Sequence, residues 1–268
     1  MTTSKPSSPE SKSDVTERHL LETSLRLFRR KGFERTTMRD IAKAAGMSVG
    51  AAYYYYRSKE EIVLAYYRAT QDEHERLLGE RLPGLTDPAE RIRAALRIKL
   101  ELVAAGRPFL GALFRFTGDP KHPLSVFGPA TREIRDRSIA TFARALEGSG
   151  LTGAALQLAT TGLWAMHLGL VLRAVYDESP GMKATYALAD TAATIVARMT
   201  TLAQVPGAEP VIAWLAQALG TINGGPSPHP GPHPGPHPGP HPGPHPGKAA
   251  ATPKRAANPK RGKGRGTT

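Results

Sequence analysis

No cysteine occurs among the 268 residues, which removes disulfide frameworks, zinc fingers, iron–sulfur centres and thiol redox switches from consideration. No stretch alternates apolar and polar residues as a half-buried strand would. A glycine-rich phosphate loop, a His-Glu-x-x-His motif and a nucleophile grouped with a base are all absent. The chain is therefore expected not to be an enzyme, to use no cofactor and to hold no metal in its folded part. The opening segment, MTTSKPSSPESKS, has no apolar core region, so a cytoplasmic protein without a secretory signal is expected.

One long run without charge is present. Residues 151–172 contain no Asp, Glu, Lys or Arg over 22 positions, enough to cross a bilayer. The run includes Gln157, His167, three threonines and three glycines. It reads as the centre of a bundle or a subunit interface rather than a membrane span, so no membrane partner is expected.

The net charge of +13 is unevenly placed. Residues 1–60 hold 12 basic and 7 acidic side chains, residues 61–223 hold 17 and 16, and residues 224–268 hold 7 and none. A neutral middle with two cationic ends points to a polyanion partner, most simply nucleic acid.

Helical punctuation runs from Asp14 to about Asn223. Asp14-x-x-Glu17, Thr37-x-x-Asp40 and Ser58-x-x-Glu61 resemble capping boxes, and Gly32 and Gly46 sit where left-handed helix ends are wanted. The pattern predicts helices over 15–31, 38–45, 49–56, 59–80, 88–105, 108–117, 124–147, 152–177, 183–203 and 210–220. The fold class is all-α: an N-terminal three-helix helix-turn-helix domain, a larger helical bundle, and a disordered C-terminal tail. The expected domain boundaries are 1–13 disordered, 14–60 a small helical module, 61–223 a larger helical bundle, and 224–268 disordered.

The segment TTMRDIAKAAGMSVGAAYYYYRSKEE carries the strongest signal. Met38, Ile41, Ala42 and Ala45 make one apolar helix face, Gly46 turns the chain, and Ser48 can cap a second helix. Helix, short glycine turn and helix is the pattern that places its second helix in the DNA major groove. Four consecutive tyrosines, Tyr53 to Tyr56, point to all sides of that helix and cannot all be core. Tyr56 is expected to pack inward with Val49 and Ala52. Leu21, Leu25 and Phe28, with Leu20 and Leu27, supply the third wall.

This stretch resembles the tetracycline-repressor-type (TetR) family of bacterial transcription regulators. The matching residues are Phe28, Gly32, Phe33, Thr36 to Ala42, Gly46-Met47-Ser48, Gly50, Tyr53 and Ser58 to Glu61. The resemblance implies contacts to a double-stranded DNA operator. Thr37 would touch phosphate, Arg39 would reach a guanine, and Val49, Gly50 and Tyr54 would face base edges. Ser48, Tyr53, Tyr55 and Lys59 complete the DNA-binding set. Ala52 and Tyr56 depart from the family, which usually has a bulky residue and a phenylalanine there.

The resemblance further implies a homodimer, with residues 152–177 and 183–203 at its interface, and an unknown small-molecule effector in the bundle. Phe109, Leu113, Phe114, Phe116, Phe127 and Trp164 are the apolar candidates for its pocket, with His167 and Arg173 as polar anchors and Arg115 as a third. Effector binding is expected to shift helix 59–80 and lower DNA affinity, making the chain a ligand-responsive repressor.

The tail supports rival readings. Residues 228–246 repeat Pro-His-Pro-Gly with His229, His233, His237, His241 and His245 four apart. In polyproline II geometry such histidines are rotated and spaced too far for a ready chelate, but a metal-handling protein is one alternative. A sequence-neutral DNA-organising protein acting through Lys248 to Arg265 is another.

Overall fold

The computed structural model describes residues 11–220, and the histidine repeat and the basic tail read from the sequence lie outside them. Ten α-helices and two short 3-10 turns, with no strand, account for the described residues. Helix α1 (Lys12–Lys31) starts earlier than Asp14. Ser11 accepts from Asp14 N, and the Asp14 carboxylate returns the bond to Ser11 N, so the capping box is Ser11-x-x-Asp14 and not Asp14-x-x-Glu17. The box at Thr37 and Asp40 opens α2 (Met38–Ala44) as expected. Ser48 caps α3 (Val49–Tyr55) through Ala51 N. Ser58 caps α4 (Lys59–Arg81), but Glu61 turns its carboxylate to Arg57 N and completes only half of a box.

Helices α5 (Pro88–Ala104) and α6 (Arg107–Thr117) follow. The predicted helix 124–147 is shorter than expected: α7 spans Arg132–Ala145, preceded by a 3-10 turn over Pro129–Thr131. Pro120, Pro123 and Pro129 prevent an earlier start. The connecting loop is stitched instead by Val126 N to Thr117 O (3.0 Å) and by Arg135 Nη1 to Val126 O (2.9 Å). Helix α8 (Gly153–Val175) is joined to α9 (Lys183–Leu202) by a turn in which Gly181 and Met182 adopt positive φ. Asp177 closes that turn by accepting from Ser179 N and Thr185 N at 2.8 Å. Helix α10 (Glu209–Gly220) packs on α8.

Two cores result. The first joins Leu20, Phe28, Phe33, Ile41, Ala52, Tyr56 and the start of α4 (Ile62 to Leu64) with Phe109 and Leu113 of α6. The second is built from α4, α5, α7, α8 and α9 around Leu96, Leu100, Phe142, Leu163, Trp164 and Leu170. Helices α4 and α6 therefore touch the three-helix head and also enter the bundle. Helix α8 is long and apolar enough to cross a membrane by length and composition alone. It contacts α5, α6, α7, α9 and α10, and buries Thr160, Thr161, Leu163, Trp164, His167, Leu170 and Ala174 among them.

Candidate DNA-reading surface and ligand cavity

The seven residues of α3 divide by angle. Val49, Gly50, Tyr53 and Tyr54 are exposed, while Ala52 and the following Tyr56 are fully covered. Pairs four apart share a helix face, so 49/53 and 50/54 form one outward surface and 52/56 the inward one. Tyr54 is 81% exposed, the most of the four tyrosines. Thr37, Arg39 and Ser48 are also exposed.

The turn beneath is held rigidly. The Asp40 carboxylate accepts from Lys31 Nζ (2.7 Å) and from both Thr37 N and Oγ1, which holds its carboxyl well below the usual range. Lys59 Nζ donates to Phe33 O (2.8 Å) and Glu34 O (3.3 Å) while lying 4.6 Å from the centre of the Phe33 ring. This ties the first turn of α4 to the α1–α2 corner.

In the bundle, a cavity of about 150 Å³ is bounded by α4, α5, α6, α7 and α8. Most of its wall is apolar: Tyr66, Tyr67, Val103, Leu110, Phe114, Ile134, Trp164, Leu168 and Val171. Its polar groups are Gln71, Lys99, Arg135, Ser138 and His167, with three threonines, and no aspartate or glutamate lines it. Gln71 Nε2 donates to Thr141 Oγ1 (2.9 Å) and Glu75 Oε1 (3.1 Å), which turns its Oε1 toward Lys99 Nζ (2.9 Å). Glu75 is gripped in turn by Arg137, whose Nη2 also reaches Asp72.

Burial has electrostatic consequences here. Desolvation brings the Lys99 ammonium down to about 8, against a partial pull upward from Glu75. The same cause, with repulsion from Lys99, brings His74 and His167 down to about 3, so both rings are neutral. His74 then donates Nε2–H to Ala95 O (2.9 Å).

Residues 20–66 match the family described as bacterial regulatory proteins, tetR family. Over this module the chain is similar to tetR-family regulators. The HTH-type transcriptional regulator HbdR of Aromatoleum sp. (strain CIB) is 32% identical over 98 residues, covering 37% of this chain and 43% of that protein. The chain matches less than half the length of the first curated relatives. A protein of Syntrophomonas wolfei assigned to the same family superposes with a TM-score of 0.59 at 18% identity, over 70% of this chain and 97% of that one. The transcriptional regulator FadR from Bacillus subtilis, solved in complex with stearoyl-CoA, gives 0.54 at 16%, over 67% and 97%. At these identities the likeness is one of fold.

The placement of the expected site residues is uneven. Thr37, Arg39, Ser48, Val49, Gly50, Tyr53 and Tyr54 are all exposed. Tyr55 does not stand out with them: it is half-buried against the head core, edge-on to Tyr54 at 5.2 Å. Lys59 is directed to backbone carbonyls rather than outward. Val49 is exposed instead of joining Ala52 and Tyr56 inside.

Of the expected pocket residues, Phe114, Trp164 and His167 line the cavity, and the rest do not. Phe109 and Leu113 are buried in the head core, with Phe109 stacked on Phe28 at 5.7 Å. Phe116 sits edge-on to Phe33 at 5.8 Å, and the neighbouring Arg115 pairs with Glu34. These residues belong to the joint between head and bundle. Phe127 is half in solvent against Trp164, and Arg173 reaches back to Asp177 (3.8 Å).

Sequence reasoning missed Lys99, Gln71, Arg135 and Ser138. A signal existed: each occupies a core position within an apolar helical stripe. In α4 the series is Leu64, Tyr67, Gln71, His74, Leu78; in α5 it is Ile92, Leu96, Lys99, Val103; in α7 it is Arg135, Ser138, Phe142. A polar side chain at a register position that the helix must bury needs an internal partner or a ligand.

Proposed function

We propose that this tetR-family regulator acts in the cytoplasm as a homodimeric repressor, released from a palindromic operator by a small molecule bound in the bundle. Residues 14–60 would read DNA, and residues 61–223 would bind the effector and pair the subunits. The observation that carries this reading is the double role of α4 and α6. Tyr66, Tyr67, Thr70 and Gln71 of α4 line the cavity, while Ile62, Val63 and Leu64, one to two turns earlier, pack in the head core. In α6, Leu110 and Phe114 line the cavity, while Phe109 and Leu113 face the head. A ligand that moves either helix must change the set of the reading helix, because packed cores switch between arrangements rather than deform smoothly.

Pairing is supported by the outer face of the last helices. Leu188, Ile195, Met199 and Leu202 on α9 and Val211 and Trp214 on α10 are large, apolar and exposed. A contiguous apolar surface of this kind marks an interaction site, and two-fold pairing places two reading helices one DNA turn apart. Tyr53, Tyr54 and Thr37 would hold the phosphates, Arg39 would supply the strongest base contact, and Val49 and Gly50 would allow close approach.

The test is selection of genomic fragments by the full chain at physiological salt, repeated with Ile195→Arg. Enrichment of one inverted repeat, lost together with dimer mass in the variant, is the expected result. Uniform retention of all fragments, or undiminished selection by a monomeric variant, would overturn it.

A further inference from the structure

The cavity holds two cations that the fold leaves short of partners. Lys99 is 7% exposed, and its ammonium, with three donors, makes one hydrogen bond, to Gln71 Oε1. The Glu75 carboxylate that pulls on it is already occupied by Arg137 and by Gln71 Nε2. Arg135 is 4% exposed; its Nη1 donates to Val126 O and Gly128 O, but its Nε has no partner. A further buried polar atom of the lining, Ser138 Oγ, is also without a partner. Native interiors seldom leave such groups unpaired, and an incompletely paired buried cation costs stability that a ligand's negative charge can restore.

We propose that this cavity binds a small monocarboxylate with an apolar body, its carboxylate held by Lys99 with Arg135, Ser138 and His167 in reach of the same polar wall. This rests on the reading of the cavity as the effector site. The absence of any lining aspartate or glutamate sets the sign of the ligand charge. Gln71, locked by Thr141 and Glu75, presents its oxygen to Lys99 and leaves the other ammonium donors free to turn to a carboxylate. The apolar wall of Leu110, Phe114, Trp164, Leu168 and Val171 takes the rest of the molecule. A volume near 150 Å³ is roughly that of a pocket that accepts one benzene ring, so an aromatic acid of one ring or a short aliphatic acid fits the size.

The experiment is calorimetric titration of the full-length protein with benzoate, benzamide, hexanoate and hexanoyl-CoA. Trp164 emission is followed in parallel in a Trp214→Phe background, which leaves one tryptophan in the chain. Benzoate or hexanoate is expected to bind and perturb Trp164, with benzamide at least tenfold weaker than benzoate. Lys99→Met is expected to weaken carboxylate binding by tenfold or more, to leave benzamide unchanged, and to melt at a higher temperature than the wild type without ligand. Equal affinity for benzamide and benzoate, binding of neither acid, or binding of hexanoyl-CoA without hexanoate would overturn the carboxylate assignment, and none of these needs the variant to fold. Operator binding is read separately. A carboxylate that binds without changing it would sustain the site and sink its role as effector site; a neutral compound that releases the operator while no acid binds would do the reverse.

Discussion

The head and the bundle bury polar chemistry in opposite ways. In the head, ionic groups stay near water and find local partners: Asp40 is met by Lys31 and Thr37, and Lys59 by two carbonyls of the adjoining corner. Its interior is aromatic and aliphatic, with Phe28 between Phe33 and Phe109. In the bundle, Lys99, His74, His167, Arg135 and Ser138 lie inside, and several of their atoms lack partners. One region is built to keep a shape and the other to keep open a place for something else. Under the proposed function, which asks for accurately presented DNA-contacting side chains and a response to a ligand, both solutions are needed, joined by elements common to the two.

The joint is where the largest effect is expected. Phe109 is 2% exposed and stacks on Phe28 from across the boundary, with Tyr66 edge-on at 5.8 Å. Phe109→Ala should cost about 3–5 kcal/mol through lost burial and the cavity left behind. For a folded region of this size, that is a fall in Tm of about 6–20 °C. If the two regions were independent, circular dichroism at 222 nm would show the head melting early with the bundle unchanged. A single lowered transition is the expected outcome, since α6 belongs to both.

How much could be read from the sequence divides along the same line. The head was legible because its contacts are local: the caps at Thr37 and Ser48, the turn at Gly46 and the inward position of Tyr56 are all set within twenty residues. The angular argument placed Tyr53 and Tyr54 outside and Tyr56 inside, and failed at Tyr55 because that position falls on the margin between faces. The bundle was legible as helices but not as a site. Its cavity draws on five helices, and periodicity says which face of each is buried without saying what that face meets. Phe109, Leu113 and Phe116 were read as pocket because they are aromatic or large on one short helix. They face the head because α6 lies between the two cores, which no local pattern encodes. The expected helix start at 124 runs across Pro129, where the structure has a 3-10 turn instead.

The buried histidines allow a second test of the contrast. In the unfolded chain both titrate near 6.5, and in the folded protein near 3. Between those values the unfolded state binds protons that the folded state does not, so the histidine contribution to stability falls as pH drops below about 6.5 and levels off near 3. The slope approaches ~1.4 kcal/mol per pH unit for each ring in that window. The groups facing them are Lys99 from α5, Glu75 on α4, Phe142 from α7 and Trp164 on α8, with His74 also repelling His167 and the Ala95 carbonyl accepting from His74. Lys99 keeps its charge throughout this range and contributes nothing to the slope. Chemical denaturation at pH 7, 6, 5 and 4 should show this decline, and His167→Gln should flatten it by about one proton. An unchanged slope in that variant would mean that His167 is hydrated.

The smallest expected effect lies on the head side. Lys31 and Asp40 approach to 2.7 Å, closer than Lys99 and Gln71, but their side chains remain 42% and 36% exposed. Exposed pairs of this kind contribute between nothing and ~1 kcal/mol, because water competes with the contact and two flexible side chains must be ordered. Lys31→Met should therefore shift Tm by no more than about 2–4 °C, with the shift shrinking as salt is raised. Asp40 would still accept from Thr37 N and Oγ1, so the start of α2 should survive and operator affinity at fixed salt should change little. Lys99→Met, by contrast, removes a charge that water scarcely reaches, so its effect on Tm should be nearly independent of salt. Melting the two variants at low and high ionic strength separates the cases: the Lys31 effect fades with salt, and the Lys99 effect persists with the opposite sign. A salt-sensitive Lys99 effect would place that ammonium in contact with solvent, and the contrast between an externally paired head and a bundle with unpaired interior charge would fail.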